Sequence, residues 1–331
     1  MAVPEGKLGV LLIQLGGPQK REDLKPFLYE LFADPEILGI PFAPARKAVA
    51  WFIATTRAPK SAETYEKIGW SPIRCWTEKQ AMLLEERLAK DGLEAIVKPS
   101  MTCSRPFVRE ALKELKNAGV TRLLALPLYP QYSVTTTRSS FSKVTEDLAH
   151  LKWKPERLDA PGSWFEDPSF IAAHVKTIEA AARTLPDQDP SKTVLLYSAH
   201  SLPVATVEKK KDPYPEHIEA TAAAIDAALG NRYRSRLAYQ SKVGPMAWLG
   251  PATQNVIAEL AAEGVKQVVV APIAFVSDHV ETLYEISMLF ADDARARGIT
   301  HFVPAAGLND SPLFIDALRN VVVETLARAS K

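Results

Sequence analysis

The sequence is poor in thiols. Among its 331 residues only Cys75 and Cys103 carry one. Two cysteines cannot supply the four thiolates of an iron–sulfur cluster or of an all-cysteine zinc site. No permanently bound cofactor of that kind is expected, and the cysteines are expected to be reduced, as in the cytoplasm. No apolar stretch reaches the roughly 20 residues that span a bilayer. No signal-peptide pattern stands ahead of the first apolar run, Leu8 to Leu15. No block of five like charges occurs and the net charge is only +1, so no global basic field argues for a nucleic-acid partner. Gly-x-Gly-x-x-Gly and the P-loop are both missing, which leaves nucleotide binding without support. What remains is ordinary globular composition, 47% hydrophobic and 24% charged, at a length that favours two domains.

Apolar runs alternate with amphipathic stretches along the chain. Leu8 to Leu15 reads as a buried strand closed by Gly16-Gly17-Pro18. A helix follows over Asp23 to Phe32. Residues 34–57 hold Ile37, Ile40, Phe42, Trp51 and Phe52, broken by prolines. They read as a helix pair packed on the core or as an exposed apolar lip. Thr77 to Lys90 reads as a helix, with Thr77 as cap and Gln80 completing a capping box. Lys209-Lys210-Lys211 reads as a solvated loop. Helix, glycine, strand and proline recur at one interval: Gly119 to Gly264 and Pro127 to Pro272 are both 145 positions apart. The expected fold class is α/β: two similar Rossmann-like domains with parallel sheets facing across a cleft. Their expected limits are 1–155 and 156–331, joined over Leu151 to Gly162, with the last helix packing back on the first domain.

The polar residues gather at strand ends, where open α/β sheets bind ligands. In the second half these ends carry His200, Gln240 to Lys242, and Phe275 to Glu281. Glu281 and Glu285 are spaced i,i+4, so a helix would set them on one face. Histidine with carboxylate offers ligands to a first-row divalent metal, and the same pair takes protons near neutral pH. Blander readings stand beside this one. Asp278 and Glu281 fit a capping box, His200 fits a satisfied core histidine, and Trp248 fits a core tryptophan.

Ser198-Ala199-His200-Ser201-Leu202-Pro203, Tyr239 to Pro245, Trp248-Leu249-Gly250-Pro251 and Ser277 to Glu285 resemble the ferrochelatase family. The likeness extends through Leu15 to Pro18, Leu128 to Ser133 and Asp212 to Pro215, and so covers nearly the whole chain in order. It implies a class II chelatase-like fold and an enzyme that inserts Fe2+ into protoporphyrin IX, releasing two protons to give protohaem. The alternatives are coproporphyrin III as substrate, a cobalt or nickel chelatase of another tetrapyrrole, and a non-catalytic porphyrin carrier. By this resemblance His200 and Glu281 are catalytic and hold the metal, while Asp278, His279 and Glu285 relay protons or metal. Leu15, Phe275 and Trp248 match wall positions, Arg57, Tyr65 and Ser71 match positions near the propionates, and Tyr132 is a further porphyrin contact. The acidic series stops at Glu285, with Leu289 at the next helical turn. Gln14-Leu15, where coproporphyrin-using relatives tend to carry tyrosine, favours protoporphyrin IX. The expected partners are porphyrin and Fe2+, and the expected location is cytoplasmic. A monomer and a peripheral contact on the inner membrane face are left as open readings.

Overall fold

The structure is a computed structural model and describes residues 6–242 and 246–328. The Val243-Gly244-Pro245 part of the sequence motif and the residues ahead of Gly6 lie outside it. The chain divides into two compact units. One runs to Trp164 and takes in the residues from Ile315 onward; the other is Phe165–Phe314.

In the first unit, β1 (Leu8–Gln14), β2 (Ala95–Met101), β3 (Arg122–Pro127) and β4 (Arg157–Asp159) form a parallel sheet in the order β2-β1-β3-β4. Every residue of β1 and β3 is buried. Strands covered on both faces read as continuous apolar runs, which is why these two stand out in the sequence. The helix Val108–Asn117 packs Val108, Ala111, Leu112 and Leu115 onto that sheet through Leu11, Ile13, Leu123 and Ala125. Gly119 then takes φ +75°, and the Val120 N–H reaches back to the Leu115 carbonyl at 3.1 Å, turning the chain into β3. The C-terminal helix Pro312–Arg328 is tied to this unit from Ile315 onward. Asp316 accepts from Arg87 at 2.7 Å, and Arg319 pairs with Asp91.

The second unit repeats the plan with β5 (Thr193–His200), β6 (Arg234–Gln240), β7 (Gln267–Pro272) and β8 (His301–Pro304), parallel and in the order β6-β5-β7-β8. Gly264, at φ +82°, and the Val265-to-Leu260 bond of 3.0 Å reproduce the Gly119 turn. In both units the segment after the third strand winds into a π-helix, Val134–Arg138 in one and Glu281–Phe290 in the other. Among the described residues no helix is long and apolar enough to cross a membrane.

Several sequence expectations give way in the structure. The helix over Thr77 begins four residues earlier, at Ile73, and ends at Lys90. Thr77 is wholly buried and donates to the Ile73 carbonyl at 2.7 Å, so it is an interior residue and not a cap. Residues 34–57 hold a short helix, Pro35–Leu38, and the start of a long one, Ala43–Lys67. The long helix buries Ala50, Ala54, Ala62 and Tyr65 and leaves Trp51 and Phe52 56% and 63% exposed. Lys209 and Lys210 close the helix Val204–Lys210 instead of lying in a loop. The segment read as a linker contains β4, whose Asp159 accepts from buried Arg122 and from Arg157, both at 2.8 Å.

Candidate active site

Parallel pairing brings three strand ends of the second unit side by side. Central β5 ends at His200, which registers with Gln240 at the end of β6; Ser198 registers with Pro272 at the end of β7. Beyond Pro272 the chain turns through Phe275 to Val280 and enters the π-helix at Glu281. Such π-helical turns leave the regular i→i+4 ladder and are frequent at functional sites.

Glu281 is the hub. Its Oε2 lies 2.9 Å from His200 Nδ1 and 3.9 Å from His279 Nε2. His279 Nδ1 sits 3.0 Å from the Ser277 carbonyl. A carbonyl only accepts, so Nδ1 carries the proton and Nε2 faces Glu281. The Phe275 ring is 4.6 Å from that of His279 and 6.4 Å, edge-on, from that of His200. His200 is set from behind by Tyr214, whose hydroxyl donates to its carbonyl at 3.0 Å.

Glu285 stands behind Glu281 in a polar recess. Its Oε2 accepts from Ser241 Oγ at 2.7 Å and from Gln240 Nε2 at 3.1 Å. Gln240 is 2% exposed; its Nε2 also donates to the Glu281 carbonyl at 3.0 Å, and its Oε1 accepts from Ser198 Oγ at 2.6 Å. Ser241 adopts φ +66°, a conformation costly for a residue with a Cβ, and the hydroxyl it delivers goes to Glu285.

These contacts sort the three titrating groups. Burial alone would lower the His200 pKa, but the charge of Glu281, its hydrogen bond and then Glu285 outweigh burial and raise it. Burial would raise Glu281; His200 and then His279 overcome it and hold the carboxylate well below the usual range. Burial, followed by repulsion from Glu281, pushes Glu285 up to about 7, against the opposing bonds of Ser241 and Gln240. Two carboxylates one helical turn apart thus differ in kind: one is fixed as an anion and the other exchanges a proton near neutrality.

The capping-box reading of Asp278 and Glu281 does not hold. Glu281 turns to His200, and Asp278 accepts from Thr282 Oγ1 at 3.0 Å and from Asn309 Nδ2 at 2.7 Å. Trp248 is half-buried in the loop that bridges to Pro203. Among the described residues no group of three or more His, Cys, Asp or Glu side chains is placed to hold a metal ion. His200 and Glu281, 2.9 Å apart, are the nitrogen–carboxylate pair expected from the sequence as ligands.

The remaining candidates belong to the first unit. Leu15 follows β1, half-buried, with its N–H on Gln14 Oε1 at 3.1 Å. Ser71 is buried against Gly17, where an added Cβ would come within 2.4 Å of its Oγ; this close approach is what the Gly-Gly turn allows. Tyr65 stacks on Trp70 at 6.2 Å between centroids. Arg57 is exposed, with its guanidinium 5.7 Å over the Phe32 ring. Tyr132 is half-buried beyond β3. Sequence reasoning noted Gln240 and Ser241 as a polar strand end without a role, and it gave no role to Tyr214 and Thr282, which stand inside the quoted motifs; it missed Asn309, whose partner Asp278 is 31 residues away.

A family model described as Ferrochelatase matches residues 7–326. A ferrochelatase of Cyanothece sp. is 42% identical over 98% of this chain and 84% of its own length. One from Gloeobacter violaceus is 42% identical over 98% of this chain and 99% of its own. Among solved structures, SirB from Bacillus subtilis with Fe3+ aligns at TM-score 0.55 and 14% identity, covering 77% of this chain and 91% of that one. CbiX, the terminal enzyme for biosynthesis of siroheme in denitrifying bacteria, aligns at TM-score 0.52 and 14% identity over 96% of this chain and 98% of that one. At that identity the likeness is one of fold. The sequence relatives and the family model carry the assignment: the chain belongs to the ferrochelatase family.

Proposed function

We propose that this ferrochelatase inserts Fe2+ into protoporphyrin IX, and that His200 and Glu281 perform the exchange of two pyrrole protons for the metal. The observation that carries the reading is the 2.9 Å pair His200–Glu281, backed by a glutamate, Glu285, that titrates near neutrality. Metallation breaks two N–H bonds and forms four iron–nitrogen bonds, two of them to the nitrogens that have lost a proton, and the iron is neither oxidised nor reduced. Because His200 Nδ1 is directed at Glu281, Nε2 is the atom that meets a pyrrole N–H. In its neutral form the ring accepts that proton, and the fixed anion of Glu281 stabilises the imidazolium produced, as the carboxylate does in a catalytic triad. Glu285, one turn behind, takes protons onward or steadies the incoming ion. His279, hydrogen-bonded at Nδ1 to Ser277, orients Glu281. Asp278, with both oxygens engaged, is a brace in this reading and not a relay.

Phe275 and Trp248 are proposed as apolar wall on the second unit. Leu15, Tyr132, Arg57, Tyr65 and Ser71 of the first unit are proposed porphyrin contacts on the strength of the family pattern. Protoporphyrin IX, with two propionates, is favoured over the four-carboxylate coproporphyrin III because Gln14-Leu15 presents no tyrosine. Peripheral attachment to a membrane fits the exposed Phe42, Trp51 and Phe52, which suit a poorly soluble porphyrin gathered at a lipid surface. Specificity constants for Fe2+ insertion into the two porphyrins, with Co2+ run in parallel, test the assignment. Protoporphyrin IX with Fe2+ should win. A higher value for coproporphyrin III or for Co2+ overturns the substrate reading, and stoichiometric binding without turnover overturns the enzyme.

A further inference from the structure

Val280, the residue before the Glu281–Phe290 π-helix, makes no side-chain cap, and within the first turn Thr282 Oγ1 accepts from the His279 N–H at 3.1 Å. A small shift of this turn would move Glu281 away from His200. One anchor is Gln240, on the Glu281 carbonyl. The opposite anchor comes from the turn after β8, a segment to which neither the sequence motifs nor the catalytic pair assigns a part.

Asn309 in that turn adopts φ +44°, in the left-handed region where asparagine is among the few tolerated side chains. Its backbone N–H donates to the Val276 carbonyl at 2.9 Å, its Oδ1 accepts from the Asp278 N–H at 2.9 Å, and its Nδ2 donates to Asp278 Oδ2 at 2.7 Å. The other carboxylate oxygen of Asp278 accepts from Thr282 Oγ1 at 3.0 Å, and Thr282 is 4% exposed and adjacent to Glu281. Gly307 closes the turn around the same carboxylate: an added Cβ would lie 2.8 Å from Asp278 Oδ1 and 3.1 Å from Asn309 Oδ1. A continuous line of hydrogen bonds thus runs from Asn309 through Asp278 to Thr282.

We propose that Asn309 is a positioning residue for Glu281, acting through Asp278 to fix the first turn of the π-helix at the distance from His200 that proton transfer requires. The proposal rests on the His200–Glu281 mechanism for its effect on turnover and on geometry alone for its effect on the helix. A misplacement of about 1 Å in such a pair costs on the order of 100-fold in rate.

The test exploits the donor–acceptor pattern. Asn309→Asp sets two carboxylates face to face and removes the amide donor. Exchanging the pair, Asp278→Asn with Asn309→Asp, restores the bonds between the two side chains with the donor moved to position 278, where the amide oxygen still accepts from Thr282. Iron insertion at saturating porphyrin should fall about 10- to 100-fold in N309D with KM for porphyrin within about twofold, and in the exchanged pair it should return to within about threefold of wild type. Amide hydrogen exchange over residues 279–290 should accelerate about tenfold in N309D, with β5 and β7 still protected, and recover in the exchanged pair. Where N309D does not fold, Asn309→Ala, which removes the bonds without the repulsion, replaces it. Turnover in N309D within twofold of wild type, or an exchanged pair as impaired as N309D, overturns the proposal. A wild-type protein that inserts no iron refutes the functional reading instead, and hydrogen exchange still decides whether Asn309 holds the helix.

Discussion

His200 Nδ1 and Glu281 Oε2 stand 2.9 Å apart, although 81 residues separate them in sequence. One ends the central strand of its sheet and the other opens the π-helix beyond the neighbouring strand. The pair commits Nδ1 to the carboxylate and keeps part of the His200 side chain, 37%, open to solvent. A histidine oriented this way presents its second nitrogen to a substrate and carries a counter-ion for the charge it acquires.

The first prediction is a pH dependence. His200 must be neutral to accept a proton, so kcat/KM should fall on the acid side as His200 is protonated. Its pKa is raised by Glu281, so the acid limb should lie above the ordinary histidine value of about 6.5. In Glu281→Gln the raising charge is gone, and the limb should move to lower pH as the rate drops. Rate profiles of wild type and E281Q check both points; an unmoved limb would mean that some other group is titrating.

Glu285 yields a stability prediction of opposite sign to that of its neighbour. Its folded pKa, about 7, exceeds the ordinary glutamate value near 4.5. The folded state therefore holds the proton more tightly than the unfolded chain, and stability is lost as pH rises from about 4.5 to about 7. Glu285→Gln keeps the hydrogen-bonding shape and removes the buried charge. It should stabilise the protein by on the order of 3 kcal/mol at pH 8 and by little at pH 4.5. Thermal unfolding of both proteins across that range reads this directly, and a pH-independent difference would contradict it.

The sequence made the central strands plain, because β1, β3, β5 and β7 are buried almost throughout and each carries an apolar run at its centre. It concealed β4 and β8, whose three and four residues are placed by pairing to an edge and carry no apolar run of their own. His200 stood out as a candidate at the end of an apolar run and Glu281 as one in the polar stretch beyond another. That the two side chains meet, and that Glu281 is not a cap, depends on the π-helical path and on a turn around Asn309, 31 residues beyond Asp278. Thr77 misled because a threonine ahead of an apolar-periodic stretch looks like a cap, whereas its hydroxyl satisfies a carbonyl within a helix already begun.

The exposed aromatic residues make the third prediction. Arg46 is held against the backbone, its Nε donating to the Ala33 carbonyl at 2.8 Å and its Nη1 to the Ile40 carbonyl at 2.7 Å, and it keeps its charge. Lys47 offers about 1 kcal/mol of attraction to an anionic surface. Trp51 and Phe52, a little over half exposed, each offer about 1–2 kcal/mol on leaving water. Flotation with phosphatidylserine-containing liposomes should therefore show binding that survives moderate salt and is lost in the W51S/F52S protein. Binding equal in the two proteins, or none in wild type at low salt, would remove the membrane reading.

The most direct measurement is single-turnover Fe2+ insertion by wild type and His200→Ala, with porphyrin binding measured on the same samples by fluorescence. The His200–Glu281 mechanism predicts that the alanine protein binds protoporphyrin IX within about threefold of wild type and metallates it about 10²–10⁴-fold more slowly, the usual cost of a lost general base. Metallation at a rate near wild type would show that the pyrrole protons leave by another group and that the His200–Glu281 pair is not their acceptor.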